Sequence, residues 1–224
     1  MTKHQAGLRL RLRVVRYNFH APRMALFEWF LKMKITLNEI ADIKSGFTFR
    51  TSIEDQLEGN IRILQIKDIC AHTRIHSDVL KLSKMVWEGR GEPPILQRGD
   101  VLLTARGEKN RAAWFDCDEP MIASSQLFII RPKRVDILPA YLCWFLNNAE
   151  APRKYFEANS TGSSMSALNK ATVSALPIHV VPLALQQQIL AIQDIADQEI
   201  NVLDQLKKNR QQMLKALFKT LLEK

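Results

Sequence analysis

The chain closes with forty-two residues, Leu183 to Lys224, that contain neither Gly nor Pro. Within them Leu185, Ile189, Ile192, Ala196, Leu203, Leu206, Met213 and Leu217 recur at steps of three and four residues or their sums, which lays one apolar stripe along a helix. At ~1.5 Å per residue such a helix spans roughly 60 Å, well past the width of a small domain. The chain's own globule therefore cannot cover most of the stripe. Glu199 and Arg210 interrupt it. They either mark where cover by the domain ends or set register across an antiparallel pair, since a charge at a seam position selects partner geometry at some cost in stability.

The remaining length is enough for one domain of ordinary size, and 46% apolar with 25% charged residues suits a chain that buries a core. Charged residues break every hydrophobic run before it reaches the length of a membrane span. Cys70, Cys117 and Cys143 form no CxxC motif and no Cys/His pair at metal-ligand spacing, so neither a disulfide framework nor a zinc site is expected, and a reducing cytoplasm is. The net charge of +9 is unevenly placed: residues 1–34 carry +7, while 35–182 and 183–224 carry +1 each. A nucleic acid would therefore be held by a local patch, and the overall charge says little about it.

Residues 1–33, with Leu8-Arg9-Leu10-Arg11-Leu12-Arg13 and Trp29-Phe30-Leu31, are foreign in composition to the rest of the chain. Three readings stand: a poorly ordered extension or a start upstream of the true one at Met33, a basic arm that touches phosphates, or an Arg-rich transit peptide. From Ile35 the pattern becomes regular. Thr36 to Ile43 reads as a cap with a short helix or strand, followed by the Gly-containing loop Lys44 to Arg50. Strands are expected at Ile61–Ile69, from the turn Gly99-Asp100 to Thr104, at Ser125–Ile130, and at the proline-bracketed Leu176–Pro182. Helices are expected at Pro139–Asn148 and, capped by Ser164, from Met165 to Ala175. The sum is an α+β chain, β-rich with peripheral helices, carrying one such unit without internal repeat.

The order of several short motifs resembles the specificity subunit of type I restriction-modification systems. They are Leu37-x-x-Ile40 with Gly46-Phe47; Leu64-Gln65-Ile66-Lys67-Asp68-Ile69; Gly99-Asp100-Val101-Leu102-Leu103 with Arg106-Gly107; Ser125-Gln126 through Arg131-Pro132; Tyr141-Leu142 with Phe145-Leu146; Gly162 with Leu168; Leu176-Pro177-Ile178; and Pro182-Leu183-x-x-Gln186-x-x-Ile189. Together they cover about residues 35 to 224. Leu185 stands where the family often has Glu, and His179 where an apolar residue would fit. The resemblance implies a half-size subunit: a target recognition domain over 34–182 and a spacer and dimerisation helix over 183–224, paired with a second copy as an antiparallel coiled coil. It implies double-stranded DNA, the methyltransferase subunit and the restriction and translocase subunit as partners, with no catalysis and no cofactor in this chain.

Base readout needs paired donors and acceptors, and phosphate contact needs cations or amides on loops. Arg106, Lys109, Asn110 and Arg111 beside Gly107 supply both, and a solvated hairpin tip is the plain alternative. Lys44, Thr48 and Arg50 offer the same mix, with Phe47 and Phe49 read as core. Ser163 and Ser164 either donate amides to a phosphate or cap the following helix. Asp55 with Gln65-x-Lys67 imitates a nuclease site but lacks the second carboxylate that holds Mg²⁺. Glu92-Pro93-Pro94-Ile95 echoes an amino-methyltransferase tetrapeptide without the stacking aromatic or a Gly-rich cofactor loop. His72 and His76, four apart, are metal ligands only if helical and otherwise surface histidines. Against DNA recognition stand a coiled-coil scaffold that no longer binds DNA and, more remotely, an autonomous Mg²⁺-dependent endonuclease.

Overall fold

A computed structural model describes residues 35–223 apart from 51, 54, 57, 77–81, 88, 90, 108–109 and 160–166. The basic extension over residues 1–33 thus lies outside the described residues. In chain order the elements are β1 (Ile35–Thr36), α1 (Leu37–Ile40), β2 (Ala41–Ser45), β3 (Ile61–Leu64), α2 (Ile66–Ala71), β4 (Arg74–Ile75), β5 (Ser83–Met85), β6 (Val101–Thr104), β7 (Ala112–Phe115), β8 (Met121–Ala123) and β9 (Leu127–Pro132). Then follow α3 (Pro139–Asn148), α4 (Glu150–Asn159), α5 (Lys170–Ser174), β10 (Pro177–Ile178) and α6 (Leu183–Leu222).

The central sheet has five strands in the order β2–β9–β6–β7–β4. Its middle strands are apolar without alternation because both faces are covered. Val101 and Leu103 of β6 and Phe128 and Ile130 of β9 enter a core shared with α1, α3 and α5. Leu102, Leu127 and Ile129, which point the other way, join Leu64, Ile69, Phe115 and Met121 in a second core. A three-stranded sheet, β5–β3–β8, carries a third, smaller cluster of Ile61, Ile63, Met85 and Ile122. β1 and β10 pair by themselves and bring the start of the domain beside its end.

Several expectations hold and several need correction. The cap at Thr36 is real: the Glu39 Oε1 accepts from the Thr36 N–H at 3.3 Å and from its hydroxyl at 2.6 Å, which holds the Glu39 carboxyl below its usual range. α3 occupies the expected span. Ile61–Ile69 is not one strand. It turns at Gln65, whose N–H donates to the Asp68 carboxylate at 2.9 Å, a capping contact that starts α2. The strand expected from Ser125 begins at Leu127, because Ser124–Gln126 form the turn closed by the Leu127 N–H to the Ser124 carbonyl at 2.9 Å. Only Pro177–Ile178 of the proline-bracketed segment is paired. The helix after the serine turn is capped by Asn169, whose Oδ1 accepts from the Thr172 N–H at 2.8 Å, and runs Lys170–Ser174.

α6 is one unbroken helix of 40 residues. Its first half, to about Asn201, runs beside the domain. Gln186 is fully buried there: its Oε1 accepts from the Leu138 N–H at 2.9 Å and its Nε2 donates to the carbonyls of Asp136 and Val181, each at 2.7 Å. Ile189 and Leu190 pack on the main core, and Gln193 accepts from the Trp144 indole N–H at 3.1 Å. From Asp197 onward every described side chain of the helix is exposed. Among the described residues no helix is long and apolar enough to cross a membrane.

Candidate nucleic-acid interface

Strand register collects the candidate loops. Across β9, Ser45 of β2 stands opposite Phe128, and Thr104 of β6 stands opposite Leu127. The loop leaving β2, the turn between β6 and β7, and the turn Ser124–Gln126 therefore share one rim of the central sheet. Backbone hydrogen bonds lock them together: the Gly46 N–H donates to Leu127, the Phe47 N–H to Ala123 and the Ala105 N–H to Gln126, each at 2.8 Å. Arg106 and Ala167 form an antiparallel bridge, with the Leu168 N–H donating to Ala105 at 2.9 Å, so the chain that follows residues 160–166 also reaches this rim.

Gly46 makes that meeting possible. A Cβ there would lie 2.5 Å from the Ala123 carbonyl oxygen and closer still to that of Ser124, both immovable backbone. Gly107, at φ 135, lets the β6–β7 turn take a path that other residues rarely adopt. The turn is braced from within. The buried Thr104 hydroxyl accepts from the Arg111 N–H at 2.9 Å, and the Asn110 side-chain amide donates to the Thr104 carbonyl at 3.2 Å. Asn110 thus spends a donor on the turn. Lys44, Thr48, Arg50, Arg106 and Arg111 are exposed. Phe47 and Phe49 meet edge to face at 5.0 Å and pack, half-buried, with Trp87 against the third core, as their reading as core requires. Lys109, Ser163 and Ser164 lie outside the described residues.

Among the described residues before α6, ion pairing divides the arginines of the rim from the others. Arg62 pairs with Glu119, Arg74 with Asp116 at 2.5 Å, Arg98 with Asp116 at 2.7 Å, Arg131 with Asp100 at 2.7 Å, Arg134 with Asp136 at 2.5 Å, and Arg153 with Glu157 at 3.3 Å. The hydrogen bond from Arg98, ahead of that from Arg74, holds the Asp116 carboxyl below the ordinary aspartate range. Asp100 is buried, and its bidentate contact raises the Arg131 pKa still further. Lys44, Arg50, Arg106 and Arg111 have no such partner among the described residues. Cations left unneutralised on converging loops can meet phosphates at little desolvation cost, and Gln126, exposed on the same rim, carries an amide donor and acceptor of the kind that can pair with a base edge. In the sequence Ser125 and Gln126 read as the start of a strand and not as interface candidates, although the polar Ser124-Ser125-Gln126 triplet interrupting an apolar run was the available signal.

The other chemical candidates have structural duties. The Asp55 carboxylate accepts from the Lys84 N–H at 2.8 Å, and Gln65 begins α2. His72 and His76 do not share a helix. They flank β4 and line a cavity of about 390 Å³ with Thr73, Arg74, Asp197, Ile200 and Asn201. Along α6 the eight stripe residues divide. Leu185, Ile189 and Ala196 are half-buried, whereas Ile192, Leu203, Leu206, Met213 and Leu217 are exposed, so the uncovered stripe effectively begins at Ile192.

The chain belongs to the type I restriction modification DNA specificity domain family, whose model matches residues 31–212. That family supplies the non-catalytic specificity part of an enzyme complex. Among curated proteins the chain is similar to the type I restriction enzyme HindI specificity subunit of Haemophilus influenzae, 23% identical over 165 residues that make up 72% of this chain and 35% of that protein. Two solved structures share the fold. The HsdS subunit of Thermoanaerobacter tengcongensis superposes with a TM-score of 0.54 at 19% identity, covering 77% of this chain and 39% of that one. A chain from work on complex assembly and conformational transition of the type I restriction-modification system gives 0.60 at 19% identity, covering 87% and 48%. The chain thus spans between about a third and a half of the length of these relatives.

Proposed function

We propose that this chain is a sequence-specific DNA-recognition subunit of a type I restriction-modification complex, without catalysis of its own, that reads one half of a bipartite site in the cytoplasm. Residues 34–182 form the target recognition domain and 183–224 the spacer. It docks the modification subunit, and through that complex the restriction and translocase subunit, and it completes a bipartite reader by pairing α6 with a second copy. The observation that supports the DNA reading is the segregation of arginines among the described residues before α6: Arg62, Arg74, Arg98, Arg131, Arg134 and Arg153 are neutralised by carboxylates, while Arg50, Arg106 and Arg111, with Lys44, are left without ion-pair partners on the loops of the rim.

The test is binding of duplex DNA by the chain assembled with its modification subunit, at several salt concentrations. Arg106→Ala with Arg111→Ala is expected to weaken binding and to flatten the dependence of log K on log salt by about 1 for each phosphate that is no longer neutralised. Gln126→Ala, in contrast, is expected to relax sequence preference with little change in that slope. Selection from random duplexes should return a split motif with a fixed gap. If the arginine pair alters neither affinity, slope nor preference, the rim is not the interface. The coiled-coil scaffold remains the outcome in which no duplex is selected at all.

A further inference from the structure

The charges of α6 are segregated along its length. Residues 183–206 carry Asp194, Asp197, Glu199 and Asp204 and no Lys or Arg, whereas 207–223 carry Lys207, Lys208, Arg210, Lys215 and Lys219 against Glu223. The stripe follows a strict 4–3 alternation through Ile192, Ala196, Glu199, Leu203, Leu206, Arg210, Met213 and Leu217. Its apolar members from Leu203 onward are at least half exposed. Glu199 and Arg210 therefore sit at seam positions, exposed, and neither has an ion-pair partner among the described residues of the chain.

We propose that a second copy of this chain lies antiparallel on α6 in one register, with the two-fold axis between Asp204 and Gln205, fixed by reciprocal pairing of Glu199 with Arg210 of the partner subunit. This rests on the self-pairing reading above and makes it specific. About that axis the seam maps onto itself. Leu203 meets the partner's Leu206, Ala196 meets the partner's Met213 and Ile192 meets the partner's Leu217, so small faces large and the two seam charges meet their opposites twice. Shifting the register by one heptad sets Glu199 against the partner's Leu203 or the partner's Leu217, and Arg210 against the partner's Ile192 or the partner's Leu206, which strands four charges in an apolar seam. A parallel pair in register sets Glu199 on Glu199 and Arg210 on Arg210. The acidic first half of one helix also lies along the basic second half of the other only in the antiparallel arrangement. Given self-pairing, orientation and register thus follow from one pair of seam charges.

The experiment is a charge-swap cycle on the full chain, read by sedimentation equilibrium, with helix content by circular dichroism confirming that each variant folds. Glu199→Arg and Arg210→Glu are each expected to weaken the dimer by about tenfold or more, because each places two like-charged pairs in the seam. The double exchange, and an equimolar mixture of the two single variants, should both return to within about threefold of the original constant. Singles that dimerise as the parent does, or a double exchange as weak as either single, would overturn this register while leaving self-pairing intact. A parent chain that stays monomeric at tens of micromolar sinks self-pairing itself and the register with it.

Discussion

At the scale of single residues, side chains that sequence reasoning treats as chemistry often turn out to hold backbone. The Asn110 amide braces the β6–β7 turn, the Asp55 carboxylate accepts from the Lys84 N–H, and Asp68, beside the Gln65-x-Lys67 motif, takes the Gln65 N–H to start α2. Gly46 does so by having no side chain. Its neighbours are the carbonyls of Ala123 and Ser124, which belong to β8 and its turn and cannot yield without moving the three-stranded sheet. Gly46→Ala is expected to lower stability by about 1–3 kcal/mol, the range for forcing an extra carbon into a closed space. Urea unfolding followed by fluorescence measures this, and an unchanged midpoint would mean that the close approach of β2 to β8 is not kept in solution. Thiol chemistry gives a second residue-scale reading. Burial, partly opposed by a backbone hydrogen bond, pushes the Cys143 thiol up to about 12, and Cys117 is buried, whereas Cys70 is exposed. Native protein titrated with a thiol reagent near neutral pH should therefore show Cys70 reacting ahead of both, with Cys143 released only by unfolding.

Elements were legible wherever local chemistry decides them. α3 begins at Pro139 and buries a face of Tyr141, Leu142, Phe145 and Leu146, and α6 has no residue able to break it, so both spans could be read directly. At Thr36 a cap was legible but helix or strand stayed open, and the chain forms both, α1 and then β2. The segment Ile61–Ile69 misled because its alternation continues past Gln65, where the Asp68 carboxylate captures the Gln65 N–H and the backbone turns helical. The rim was legible only in part. Its loops could be named from composition, but their convergence depends on the pairing of Ser45 with Phe128 and of Thr104 with Leu127, and the chain separations involved leave no local trace. Gln186 shows the same gap. It belonged to a helix-start motif, yet its duty as a buried clamp on Leu138, Asp136 and Val181 appears only in three dimensions. Replacing it with Leu leaves one N–H and two carbonyls without partners in a dry site. That should cost about 3 kcal/mol and loosen the root of α6, seen as faster hydrogen exchange at residues 183–190. Exchange unchanged there would show that Ile189 and Leu190 suffice to anchor the helix.

For the molecule as a whole, the division of labour follows from where the apolar surface is spent. All three cores close without any residue beyond Leu190. The last twenty-one residues of α6, from Val202, add exposed Leu203, Leu206, Met213, Leu217, Phe218, Leu221 and Leu222 to the surface and nothing to the fold. A helix of that exposure is stable only if something covers it, because an isolated helix has little stability of its own in water. Deleting residues 202–224 should therefore leave the domain's near-ultraviolet dichroism intact while changing how its melting depends on concentration. For the full chain the midpoint should rise with protein concentration, since a partner that binds only the folded helix stabilises by mass action. For the shortened chain it should not. If the full chain melts at the same temperature across a hundredfold range of concentration, its stripe is not covered by a second copy, and the cover must come from a different subunit.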